Sequence, residues 1–239
     1  GGSTGFGAGT GTLDLAGTHA LELASDLTLP AAGWQLGLPG TVTIDAAAAR
    51  TLTNLTTLRL TGDTINANVA LDNQGVLRLE NGATGAVNGA LTNSGTIELL
   101  SGGFTALTVA NGFTNQGLID LQNNAGGFAS TLTVSTGTLT NAAGATLRSG
   151  GTHATVSNTL NAQVTNLGTL DVQRRLTVTN TPARTFESST GTLDIAAGSV
   201  LTVNGGTTRI GGSTGFGAGT GTLDLAGTDA LELASELTL

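Results

Sequence analysis

The chain has 239 residues, no cysteine, methionine, tyrosine or lysine, and a net charge of −8 with only 10% charged residues. Such a set cannot build a disulfide framework, a zinc–thiolate site, a thiol nucleophile, a P-loop or a Schiff base, and its acidity argues against nucleic acid and anionic membrane surfaces as partners. Six Phe and one Trp are the only aromatics, so a globular core anchored on large rings is not expected.

In chain order, GTLDL from Gly11 alternates apolar and polar residues, the signature of a half-buried strand. LTL from Leu27 and VTI from Val42 follow with the same period. A longer pattern, L-x-N-x-G-x-[LI]-x-[LV], then recurs: LTNLTTLRL from Leu52 with Thr56 in the glycine place, LDNQGVLRL from Leu71, LTNSGTIEL from Leu91 and FTNQGLIDL from Phe113. It continues as LTNAAGATLRS from Leu139, with one residue inserted, and VTNLGTLDV from Val164. Partial copies begin at Gly191 and Gly221, and an LTV strand follows several copies, at Leu107, Leu132, Leu176 and Leu201. Helical spacing is nowhere sustained, and no apolar run approaches the ~18 residues of a membrane helix.

A second, longer repeat encloses these. Gly211–Leu239 repeats Gly1–Leu29 at 27 of 29 positions, the exceptions being His19/Asp229 and Asp26/Glu236. Residues 1–210 therefore read as one full tandem unit, and 211–239 as the start of the next in a continuous solenoid. The chain reads as an internal window of a larger protein.

Strands of period two joined by Asn/Gly corners describe an all-β fold, a parallel β-helix with three strands per coil. About nine coils of roughly 23 residues fill one 210-residue unit, and rungs ~4.8 Å apart make it roughly 43 Å long. On a count of whole coils, the second copy should stand above the first in the same orientation. A lone coil buries too little: each Leu or Val contributes ~1.5–3 kcal/mol against ~1–2 kcal/mol per ordered residue. Stability must come from stacking on neighbours.

Asn54, Asn73, Asn93, Asn115, Asn141 and Asn166 hold one place in the pattern. If aligned, their amides form a ladder; otherwise each is a turn residue facing water, since Asn and Gly tolerate positive φ.

The outward place of the GTLDL-type strand carries Asp14, Glu98, Asp120, Asp171, Asp194 and Asp224, interrupted by Arg59, Arg78 and Arg148. The favoured reading is a solvated acidic face that keeps a long fibre soluble. Weak divalent binding, with Ca²⁺ the candidate, and an acid/base groove for polysaccharide are the alternatives. No calcium-loop signature, HExxH or paired-histidine spacing occurs. His19 becomes Asp229 in the next copy, which counts against a ligand or base needed in every unit. No catalytic residue, cofactor or resident metal is therefore expected, and the chain does not read as an enzyme. The T-x-T pairs, such as Thr131/Thr133 and Thr177/Thr179, suit a hydroxyl lattice for ice less well than plain strand propensity.

The repeated N-x-G-x-L-x-L with trailing LTV resembles the β-solenoid repeats of large bacterial surface and secreted proteins, of the filamentous-haemagglutinin and autotransporter-passenger type. The resemblance implies a right-handed, three-faced β-helix, export to the bacterial cell surface, and a role in adhesion or matrix. The near-identity of copies 210 residues apart departs from that family and suits a uniform stalk. The expected function is a structural extracellular fibre or adhesin stalk, with a carbohydrate-binding or polysaccharide-processing β-helix as the alternative. The expected partners are further copies of the same repeat, with lateral or end-to-end association open, and neither nucleic acid nor membrane insertion.

Overall fold

A computed structural model describes residues 11–31, 34–38, 40–124, 126–180, 183–211 and 214–236. Among them there is no helix, and the strand pairings are parallel. Strands on the first face begin at Gly11, Trp34, Thr57, Val76, Thr96, Leu118, Thr146, Thr169, Thr192 and Gly215 and pair in that order. Between consecutive first-face strands the chain lays one strand on a second face and one on a third. Ser130–Asn141 and Asn158–Asn166 run unbroken through the corner between those two faces, so the second and third ladders form one sheet. The molecule is an all-β parallel β-solenoid of about nine turns with three strands per coil.

Period-two alternation fixes which side chains enter the column. Leu58, Leu77, Ile97, Ile119, Leu147, Leu170 and Leu193 stand in register up the first face and all are buried. The second and third faces add Leu107, Leu132, Leu160, Leu52, Leu71 and Leu139, giving one continuous apolar core. Its residues are modest in size; Phe186 is its largest fully buried side chain. Backbone hydrogen bonds run between coils, so each rung is completed by its neighbours rather than by itself.

The N-x-G corner works by close approach rather than by unusual backbone angles. Gly75, Gly95 and Gly117 are absent from the positive-φ residues, as are all six motif asparagines. A Cβ at Gly95 would fall on the carbonyl oxygen of Gly75, and one at Gly117 on that of Gly95. The corner backbones stack tightly: Gly95 N donates to Asn73 O at 3.0 Å and Thr96 N to Gly75 O at 2.8 Å.

The repeated segment does not return to its original face. Gly11–Asp14 lies on the first face beneath Trp34–Leu38, whereas its counterpart strand Thr222–Ala226 lies on the second face against Val200–Asn204. Gly17–Glu22 is on the second face, and the counterpart Ala230–Leu233 is on the third. The offset of 210 residues is therefore nine turns plus one face, which corrects the expectation of equal orientation. The first-face strand of the last coil is the two-residue Gly215–Phe216. Its Phe216 stands in register on Leu193, and GTLDL arrives one face later. Alternation alone cannot report this, because it fits all three faces equally.

Candidate functional site

The most regular chemical feature is a column of amides at the corner between the third face and the first face of the following coil. Asn54 Nδ2 donates to Asn73 Oδ1 at 2.7 Å, Asn73 to Asn93 at 2.6 Å, Asn93 to Asn115 at 2.7 Å, Asn115 to Asn141 at 2.8 Å and Asn141 to Asn166 at 2.9 Å. Asn166 Nδ2 closes the series on Ser188 Oγ at 3.0 Å. The second hydrogen of each amide goes to a backbone carbonyl of the next coil, as from Asn54 to Val76 O and from Asn73 to Thr96 O, both at 3.0 Å. All six side chains are at most 1% exposed, which makes every one of these bonds costly to leave unmade. Leu29 precedes Asn54 in the column, so the ladder begins and ends within the chain.

A second buried polar group holds the corner between the first and second faces. Asn158 Nδ2 donates to Leu121 O at 2.8 Å and to Ser149 Oγ at 3.1 Å. Ser130 Oγ donates to Leu99 O at 2.8 Å, and Asn123 Nδ2 to Val156 O at 2.8 Å. These residues share no motif spacing. The only signal was negative: polar residues at places where alternation calls for an apolar one.

The carboxylates fall on a mixed column. Arg59, Arg78, Glu98, Asp120, Arg148, Asp171 and Asp194 are consecutive register partners on the first face, and Asp14 lies on the same face opposite Gly37. The arginines join coils. Arg78 Nη2 meets Glu98 Oε2 at 2.6 Å, Arg148 Nε meets Asp171 Oδ2 at 3.0 Å, and Arg59 Nη1 meets Glu80 Oε1 at 3.4 Å. Asp194 Oδ1 accepts from Gly219 N at 3.1 Å. Asp224 stands apart, on the second face opposite Thr202.

Asp120 is the one member of the column that is buried. Desolvation pushes its carboxyl above the usual range, and neighbouring Glu98 and Asp171 add to this; Gln122 and Arg148 oppose it. Its Oδ1 has no hydrogen-bond partner among the described residues. Asp63 occupies an inward place between Val42 and Gly85, where burial likewise raises its carboxyl despite backbone amides from Thr61 and Val42. Asp63 joins coils by accepting Val42 N at 2.8 Å and closes its own corner by accepting Thr61 N at 2.6 Å, whereas Asp120 accepts from Gln122 of its own strand at 2.6 Å.

Among the described residues, no three or more His, Asp or Glu side chains converge to hold a metal ion. His153 Nε2 accepts from Gly126 N at 3.1 Å. His19 lies exposed on the second face opposite Val42; its repeat counterpart Asp229 accepts the Thr208 hydroxyl at 2.7 Å. The exchange thus has local content, because the two copies meet different neighbours. The glycine-rich stretch at residues 1–10 lies outside the described residues.

Among the described residues, the apolar column has a recess at each end. One recess, about 260 Å³, is lined by Leu13, Leu15, Leu21, Leu23, Leu27 and Leu36. The other, about 500 Å³, is lined by Leu193, Ile195, Ile210, Phe216, Leu223 and Leu225. No helix is long and apolar enough to cross a membrane. No family model, curated protein or solved structure matches the chain.

Proposed function

We propose that this chain is part of an extracellular bacterial fibre or adhesin stalk, in which tandem β-solenoid units multiply length. The observation that carries this reading is the repeated segment itself. Residues that begin the first unit recur from Gly211 onward, and the described strands of the second copy stack on the coil before them, Thr222–Ala226 on Val200–Asn204 and Ala230–Leu233 on Thr207–Ile210. An uninterrupted amide ladder, tight glycine corners and inter-coil ion pairs all serve stacking. Low charge density and a core of small aliphatic residues suit a rod whose stability is a sum over neighbours.

Surface labelling tests the location. Antibody fragments raised against the 239-residue chain should decorate intact, unpermeabilised cells of the source organism. Under the electron microscope the label should lie along filaments projecting from the envelope. Labelling that appears only after permeabilisation would refute an extracellular role.

A further inference from the structure

The open end of the last coil has its cover displayed elsewhere in the same molecule. Residues 221–236 repeat 11–26 with two substitutions, if position 229 and position 236 are counted. At the first copy, that sequence is covered by Trp34–Leu38 on Gly11–Asp14 and by Gly40–Asp45 on Gly17–Glu22. At the second copy it lines the larger apolar recess through Leu223, Leu225 and Leu231, one face further round. We propose that the occupant of this end is a second copy of the 210-residue unit, continuing the same column but rotated by one face. This rests on the tandem-array reading above.

The rotation changes what the fibre shows to its surroundings. Within this chain the first face carries the charged column from Arg59 to Asp194, while the second face carries an uncharged column of Thr131, Thr159, Thr177 and Thr202. The residue stacked next on Thr202 is Asp224, the repeat counterpart of the charged-face Asp14. The second unit therefore lays its charged column over the first unit's threonine column. Three units restore the original phase. No side of the array carries an unbroken flat threonine strip, the kind of surface on which sheets zip together. The array stays a single rod that presents each face type on every side in turn.

Paired cysteines read the phase directly, since the chain has no native cysteine. Register partners on adjacent parallel strands lie ~4.8 Å apart, within the Cα separation that a disulfide spans. The Thr202→Cys/Asp224→Cys variant should lose both free thiols on mild oxidation, as should the within-unit control Thr177→Cys/Thr202→Cys. The Asp194→Cys/Asp224→Cys variant, which would align if the repeat were nine whole coils, should keep them. Oxidation of the 194/224 pair would overturn the rotation and leave the rod intact. A control pair that closes while neither test pair does would show that the second copy is not stacked on the column, and would also overturn it. The array reading fails separately, if rods carrying more units do not lengthen.

Discussion

Asn73 donates one amide hydrogen to Asn93 Oδ1 at 2.6 Å and the other to Thr96 O at 3.0 Å, while its own Oδ1 accepts from Asn54. From Asn73 to Asn166, each side chain in the ladder thus binds the coil on either side, and none of these can be removed without stranding partners on both.

Asn93→Ala is expected to be among the most damaging single truncations. It removes the acceptor of Asn73, the donor to Asn115 and a donor to Leu118 O. Unmatched buried groups cost about 1–3 kcal/mol each, so a loss of roughly 2–5 kcal/mol should appear in urea unfolding. Asn93→Asp should be equally poor at neutral pH, because a carboxylate meets the Asn115 oxygen with no hydrogen to offer. It should recover in part in acid, where a protonated carboxyl donates.

Gly95→Ala sets a new Cβ on the Gly75 carbonyl oxygen. Overpacking against backbone that cannot yield costs about 1–3 kcal/mol. Gly198→Ala, where no atom lies within 4 Å of the added carbon but φ is +76°, should pay only for the backbone angle. Thermal midpoints of the two variants separate steric from conformational cost.

The ion pairs should matter far less. Arg78 and Glu98 stay partly exposed, with side-chain exposures of 27% and 22%. Arg78→Gln should cost less than about 1 kcal/mol, and the difference should shrink as salt is raised from low ionic strength. A loss like that of Asn93→Ala would mean that the charged column, rather than the amide ladder, binds the coils.

Asp120 makes stability depend on pH in the sense opposite to a salt-bridged carboxylate. Its folded pKa lies above the unfolded value, chiefly through desolvation. The folded chain therefore holds this proton more tightly, and the group's contribution falls as pH rises from below the unfolded value through the folded one. Asp120→Asn should be more stable than the parent at pH 7. The gap should close as pH drops below about 4, the ordinary aspartate range. A gap that is constant with pH would contradict the burial argument.

Much of this architecture can be read from short-range pattern. Alternation in TIEL or TLDV says which residues enter the core, and N-x-G before the strand, with its variants at Asn54 and Asn141, puts six asparagines in one column. What pattern cannot carry is anything set by cumulative corner length. Asp14 and Asp224 have the same local sequence and different faces, because position around the axis depends on every corner between them. Burial of Asp120 was hidden for a related reason: Asp120 and Asp171 sit at the same place in their strands, each with a Gln two residues on and Arg148 as a register partner, so the local pattern does not separate them. The corner network of Ser130, Ser149 and Asn158 joins coils of unequal length, 22 residues from Thr96 to Leu118, 28 from Leu118 to Thr146 and 23 from Thr146 to Thr169. It leaves no fixed spacing to find.

In the proposed array, each unit adds length at constant width, with a one-face rotation. Cryo-electron micrographs of chains carrying one, two and four units measure this directly. Nine turns and one face at ~4.8 Å per turn predict about 45 Å of added rod per unit at constant width. Particles that thicken or stay compact as units are added would contradict the account.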